Sequence, residues 1–209
     1  MTDNVNSTNP HANRMALVLI FAIPVLVILA STLLYYLADS RVVNLGAVNR
    51  GQLITPPIEI SGFGLLDSSG QPLDYSQPEP RWTYMMFGGA RCEGTCERIL
   101  YLTGQTHKLL GKKINQVQRM YVSVDGEVDA SLQQLIDQQQ QGLHLAYADG
   151  ETVKNLLAGL DVDPLADESF FLVDPRGWVM MYYVASDSEP LTLSNLSKDM
   201  IKDIKRLIP

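Results

Sequence analysis

From Met15 to Leu37 the chain runs for 23 residues without a charged side chain. A helix of roughly 20 apolar residues crosses the hydrocarbon core of a bilayer. Inside that core only a helix or a closed barrel satisfies its own backbone. Pro24 falls within the run, and membrane helices tolerate proline. A secretory signal is the competing reading. Its apolar region spans about 7–15 residues and ends at a small-residue cleavage site. Here the run is longer, and Leu33-Leu-Tyr-Tyr-Leu37 continues it past Ala30-Ser31. Length therefore favours an uncleaved anchor. Arg14 lies on one side of the span and Arg41 and Arg50 on the other, so flanking charge is close to neutral about orientation. A short N-terminal tail before a single anchor places the large domain outside the cytoplasm by default. The expected organisation is a disordered cytoplasmic tail at 1–14, a transmembrane anchor at 15–37, a linker at 38–57 and one domain at 58–209.

The remaining chain is long enough to bury a core of its own. The sequence carries a net charge of −7 and shows no basic stripe, which argues against nucleic acid as a partner. Pro56-Pro57 ends the linker. Ile58-Glu-Ile60 and Gly64-Leu-Leu66 flank the turn cluster Asp67-Ser-Ser-Gly70 as a hairpin. Strands are expected at Trp82–Phe87, Val117–Val124, Leu143–Tyr147, Ser169–Val173 and Trp178–Val184. The last two form a hairpin across Asp174-Pro-Arg-Gly177. Helices are expected at Glu93–Leu110, Ala130–Gln141, Gly150–Leu160 and Leu191–Leu207, the last with Leu193, Leu196, Met200, Ile204 and Leu207 along one side. Strand and helix alternate and then close on a hairpin and a helix. That order predicts an α/β fold, a central mixed sheet with helices on both faces.

Cys92 and Cys96 are the only two cysteines in 209 residues. They sit four apart in Phe87-Gly-Gly-Ala-Arg-Cys-Glu-Gly-Thr-Cys-Glu-Arg-Ile-Leu100, where a strand gives way to a helix. Sulfurs four apart at a helix start share one face and come within disulfide range. The open helix end and Arg91 favour a thiolate, while Glu93 and Glu97 oppose one. Cys92 is expected as the attacking thiolate and Cys96 as the resolving thiol. Gly88-Gly89 is expected to let the backbone turn sharply and leave the site open. Two chemistries suit such a pair: cycling between dithiol and disulfide, or holding Cu(I) as thiolates. A purely structural disulfide is the bland alternative, but so short a loop gives up little chain entropy on cross-linking. His107 lies well down the same helix, about 16 Å from Cys96 at roughly 1.5 Å per residue, too far to share a metal. His144 reads as an ordinary strand histidine. Met85, Met86, Met180 and Met181 read as core filler.

Phe87-Gly-x-x-x-Cys-x-x-x-Cys96 after an apolar strand resembles the Sco family, thioredoxin-like copper-handling proteins of cytochrome c oxidase assembly. Phe171-Leu-Val-Asp-Pro-Arg-Gly177 is similar to that family's Leu-x-Asp-Pro-x-Gly hairpin. Asn49-Arg-Gly-Gln-Leu-Ile-Thr-Pro-Pro57 and Arg119 resemble a subgroup of short, anchored, Sco-like proteins associated with bacterial cytochrome oxidase genes. The resemblance covers about residues 52–207. It implies a thioredoxin-like fold, copper as a cofactor or cargo, a cytochrome c oxidase subunit or copper-delivery protein as partner, and a single-pass place in the bacterial inner membrane with the domain in the periplasm. One departure matters. In the family a histidine about eight residues before the Asp-Pro hairpin completes the copper site, whereas Asp163-Pro-Leu-Ala-Asp-Glu-Ser169 holds none. Pro164 is also several residues too early for the loop proline that faces a thioredoxin dithiol.

Three functions follow as expectations. The first is a membrane-tethered assembly factor acting through Cys92 and Cys96 by thiol–disulfide exchange or Cu(I) handling. The second is a general thiol–disulfide oxidoreductase. The third is a non-enzymatic Sco-like interaction subunit that keeps the fold without the metal site.

Overall fold

The computed structural model describes residues 10–39, 49–75, 79–138, 142–165, 168–187 and 189–208. The chain divides into two units, Met1–Val48 and Asn49–Pro209.

The first unit is helix α1, Pro10–Asp39, with Pro24 inside it. Its segment Val18–Leu37 is long and apolar enough to cross a membrane, with a mean hydropathy of 2.6 and no buried residue. Residues 10–14, expected in a disordered tail, are helical here. Residues 1–9 and 40–48, parts of the expected tail and linker, lie outside the described residues.

Among the described residues of the second unit, six strands form one sheet. These are β1 (Gln52–Glu59), β2 (Trp82–Gly88), β3 (Val117–Ser123), β4 (Leu143–Tyr147), β5 (Ser169–Val173) and β6 (Trp178–Val184), in the order β1-β6-β5-β2-β3-β4. The β2–β3 and β3–β4 pairs are parallel, and the other pairs are antiparallel. The expected mixed sheet is therefore present. Parallel neighbours need a crossover helix. Helix α2 (Thr95–Lys108) joins β2 to β3, and α3 (Ala130–Gln138) joins β3 to β4. Helices α4 (Gly150–Leu157) and α5 (Pro190–Leu207) follow.

Alternate residues of each inner strand enter opposite cores, as the two-residue period of a strand requires. Tyr84, Met86, Tyr121, Phe170 and Leu172 pack with α2, α3 and α5. Met85, Phe87, Met120, Val122, Phe171 and Val173 pack on the other face with α4 and the 3-10 turn at Ile60–Phe63.

Two expectations fail near the start of the domain. Gln52–Pro57 is not linker; it is the first part of β1. The prolines disguise it, because they cannot donate to a ladder. β1 is an edge strand, where proline is admissible, and its register slips between Leu53 and Ile58. The expected strand at Gly64–Leu66 is also absent. Ile60–Phe63 forms the 3-10 turn, and Leu66 makes isolated bridges to Pro72 and Tyr147. The Asp67 turn does form, with Asp67 Oδ1 accepting from the backbone of Ser69 and Gln71 at 2.8 and 3.0 Å.

Asp203 of α5 fixes the chain where it enters β1. The residue is buried, and its Oδ2 accepts the backbone N–H groups of Arg50 at 2.7 Å and Gly51 at 2.9 Å. The Tyr183 hydroxyl donates to the same oxygen at 3.0 Å.

Candidate functional site

The site lies at the carboxyl end of β2, beside the first turn of α2. Because β5 runs antiparallel to β2, its start comes alongside. The recorded pairing of these two strands stops at Met85 and Phe171. Beyond that point a cleft of about 550 Å³ opens. Met86 to Gly88 line it from β2, Gly89, Arg91 and Glu93 from the following loop, and Thr95, Cys96 and Ile99 from α2. Leu165, Glu168 and Ser169 close the far wall.

Cys92 and Cys96 are joined as a disulfide, with Cα atoms 5.2 Å apart. The helix begins later than the sequence suggests. Thr95 is its first residue, and Gly94 caps it at φ +62°, a backbone conformation that costs glycine little. Cys92 therefore lies in the loop and Cys96 in the first turn, where backbone N–H groups lack intrahelical partners. Exposure separates the two sulfurs. Cys92 is 4% exposed and packs with the α2-side core. Cys96 is half-buried and lines the cleft. The sulfur that a visitor meets is that of Cys96. An i, i+4 pattern carries no information about which member faces solvent when one of them precedes the helix.

The loop before the disulfide is braced residue by residue. Gly88 O accepts from Val124 N at 2.9 Å, and Ala90 O accepts from Asp129 N at 2.9 Å. Between them Gly89 O accepts from the Tyr121 hydroxyl at 2.9 Å. That hydroxyl also stands 3.9 Å from Cys96 Sγ. Burial, aided by the nearby negative charge of Asp125, pushes the Tyr121 phenol up to about 12. The two glycines serve this packing and not a sharp turn. A Cβ at Gly88 would collide with the Tyr121 hydroxyl, and one at Gly89 would crowd the Asp125 carboxylate. Tyr121 is the residue that sequence reasoning missed. Within Val117–Val124 it reads as one more core residue, and only the three-dimensional crossing of β3 beneath the loop marks it.

The remaining candidates do not converge on the sulfurs. His107 is buried, with Nε2 donating to Val117 O at 2.8 Å and facing Ile114 O at 3.1 Å. Those partners tie it to the start of β3, away from the end that carries the cleft. His144 sits on β4 opposite Met120. Met85 and Met86 are core, as expected, and Met86 also borders the cleft. Asp167 lies outside the described residues, and Glu168 is in the cleft wall. No group of three or more His, Cys, Asp or Glu side chains able to hold a metal occurs among the described residues. Among the described residues the donor set therefore offers copper two sulfurs and no third ligand of those types placed to hold it, and a complete copper site does not fit these residues.

Residues 82–209 match the family described as transmembrane-like, thioredoxin-like, C-terminal domain. The chain belongs to that family. Its thioredoxin-like domain is also similar to solved Sco structures. Apo Sco1 from Thermus thermophilus has a TM-score of 0.52 at 18% identity, covering 78% of this chain and 100% of that one. BsSco, a member of the Sco family of cytochrome c oxidase assembly proteins in which a disulfide switch is identified, has a TM-score of 0.52 at 20% identity, covering 74% of this chain and 96% of that one. Copper-bound yeast Sco1 has a TM-score of 0.51 at 18% identity, covering 78% and 98%. At these identities the likeness shows the fold alone. A search of curated proteins finds no match.

Proposed function

We propose that this protein is a membrane-tethered thiol–disulfide exchange factor that serves the assembly of a terminal oxidase. The observation that carries the reading is the Cys92–Cys96 disulfide set at a cleft with Cys96 facing outward. The Sco-like fold and the disulfide switch named for BsSco support it, as does helix α1, long and apolar enough to cross a membrane; in this reading α1 anchors the chain in the bacterial inner membrane with the domain in the periplasm.

Exchange starts from the dithiol. The Cys96 thiolate attacks one sulfur of a partner disulfide, and the partner's other sulfur leaves as a thiolate. Cys92 then attacks Cys96 Sγ in the mixed disulfide. This closes the internal disulfide and releases the partner's second sulfur. The partner gains two electrons, the pair loses two, and protons pass through solvent. A dithiol reductant of the same compartment resets the pair. The partner that the reading names is a thiol-bearing oxidase subunit or a copper-delivery protein.

Trapping tests this order. Cys92→Ser leaves the open sulfur without its resolving partner, so mixed disulfides accumulate through Cys96 and are released by reductant. Cys96→Ser traps none. Accumulation in Cys96→Ser instead would assign attack to Cys92, and no trapped species in either variant would remove exchange as the function. Mass spectrometry of the trapped band identifies the partner.

Copper enters this reading as cargo only. Thiolates suit Cu(I), and copper-bound yeast Sco1 shares the fold. Cys92 and Cys96 would hold the ion once reduced. Anaerobic Cu(I) titration of the reduced chain is expected to show binding that a competing chelator removes readily and that the double serine variant lacks.

A further inference from the structure

We infer that the Tyr121 hydroxyl is a redox-linked positioning group that moves between the Gly89 carbonyl and the Cys96 sulfur. It lies 2.9 Å from that carbonyl and 3.9 Å from Cys96 Sγ, on the same buried phenol. A disulfide sulfur is a weak acceptor, so in the oxidised chain the O–H rests on Gly89 O. A thiolate is a charged acceptor, and hydrogen bonds to ionised groups are roughly twice as strong as neutral ones. Once the bond to Cys92 opens, Cys96 outbids the carbonyl for the same proton.

The surroundings make this donor matter. Among the described residues that line the cleft, the charged groups are Arg91, Glu93 and Glu168, with Glu97 and Arg98 next along α2 and Asp125 beside Gly89. In the cleft itself two carboxylates face one guanidinium, and their field works against a thiolate. A short-range donor offsets it, aided by the open N–H groups of the first turn of α2. Gly88 keeps the space the phenol needs, since any Cβ there would meet its oxygen. The donor stays a donor throughout, because burial keeps the phenol protonated. When the hydroxyl leaves Gly89, that carbonyl faces the cleft as an acceptor for a docked partner's backbone. The cleft then differs between the two redox states by one hydrogen-bond acceptor.

The inference rests on the exchange reading for its purpose, but its test reads the redox equilibrium of the pair itself. The full chain in detergent is equilibrated with dithiothreitol buffers, and the oxidised fraction is read by alkylation and mass. Tyr121→Phe keeps the ring and removes the donor. The reduced form loses more than the oxidised form, so the pair becomes harder to reduce. A tenfold change in the equilibrium is expected, which corresponds to about 30 mV toward more negative potential. Denaturant unfolding of both redox forms supplies the second measurement, with the reduced form destabilised more by the substitution. A merely structural tyrosine weakens both forms alike and leaves the potential unmoved, and that result overturns the inference. A shifted potential in a chain that traps no partner would sink the exchange reading and leave the hydroxyl's role standing.

Discussion

Gly88 shows how much one absent methyl group can decide. The carbon it lacks would occupy the space of the Tyr121 hydroxyl, and that hydroxyl in turn braces Gly89 beneath the disulfide. Gly88→Ala is expected to destabilise the domain by about 1–3 kcal/mol, the usual cost of overpacking, measured as a drop in the urea midpoint at constant slope. His107 carries the pH dependence at this scale. Its Nε2 donates to buried carbonyls, while Nδ1 has no hydrogen-bond partner. Protonation would bury an N–H with nowhere to donate, and burial holds the histidine below its ordinary value. The unfolded chain therefore takes up a proton as pH falls through about 6.5 while the folded chain does not. The His107 contribution is complete above that value and is lost progressively below it, at no more than about 1.4 kcal/mol per pH unit. His107→Gln, which keeps a side-chain N–H donor, is expected to flatten the slope of stability against pH between 7 and 5. An unchanged slope would contradict this account.

Among the elements, those with a clear period were legible and those hidden by proline were not. β4, β5 and β6 lie at the residues where alternating or continuous apolar runs put them. Asp149 caps α4, accepting from Thr152 N at 2.8 Å. β1 was invisible because Pro56-Pro57 reads as a stop, and only pairing with β6 shows that an edge strand can carry it. The start of α2 was misplaced by two residues, so Cys92 falls in the loop and Cys96 in the first turn of the helix. The thiol pair itself was legible from spacing, but its exposure depends on where Gly94 lets the helix begin. Helix α5 makes the prediction that belongs here. Asp203 gathers Arg50 N, Gly51 N and the Tyr183 hydroxyl onto one carboxylate oxygen. Asp203→Ala leaves these donors without that acceptor and is expected to cost about 2–4 kcal/mol, read from thermal or denaturant unfolding. Asp203→Asn keeps an acceptor oxygen and is expected to recover part of the loss.

For the whole molecule the decisive division is between an apolar helix and a domain with its own two-sided core. The proposal that α1 anchors the chain predicts that the full chain stays with membranes through carbonate extraction. A chain starting at Asn49 is expected to be soluble and to keep the redox equilibrium of Cys92 and Cys96. Release of the full chain by carbonate would mean that α1 does not span. A protein held in a membrane plane meets its own copies often, and a bare sheet margin would invite them to stack. Pro56 and Pro57 occupy one margin, and neither can lend a proton to a neighbouring strand. At the other, Leu66 and Tyr147 exchange both of their backbone bonds at 2.9 Å, covering the end of β4. Strand-to-strand stacking of anchored copies therefore finds little to propagate from at either margin.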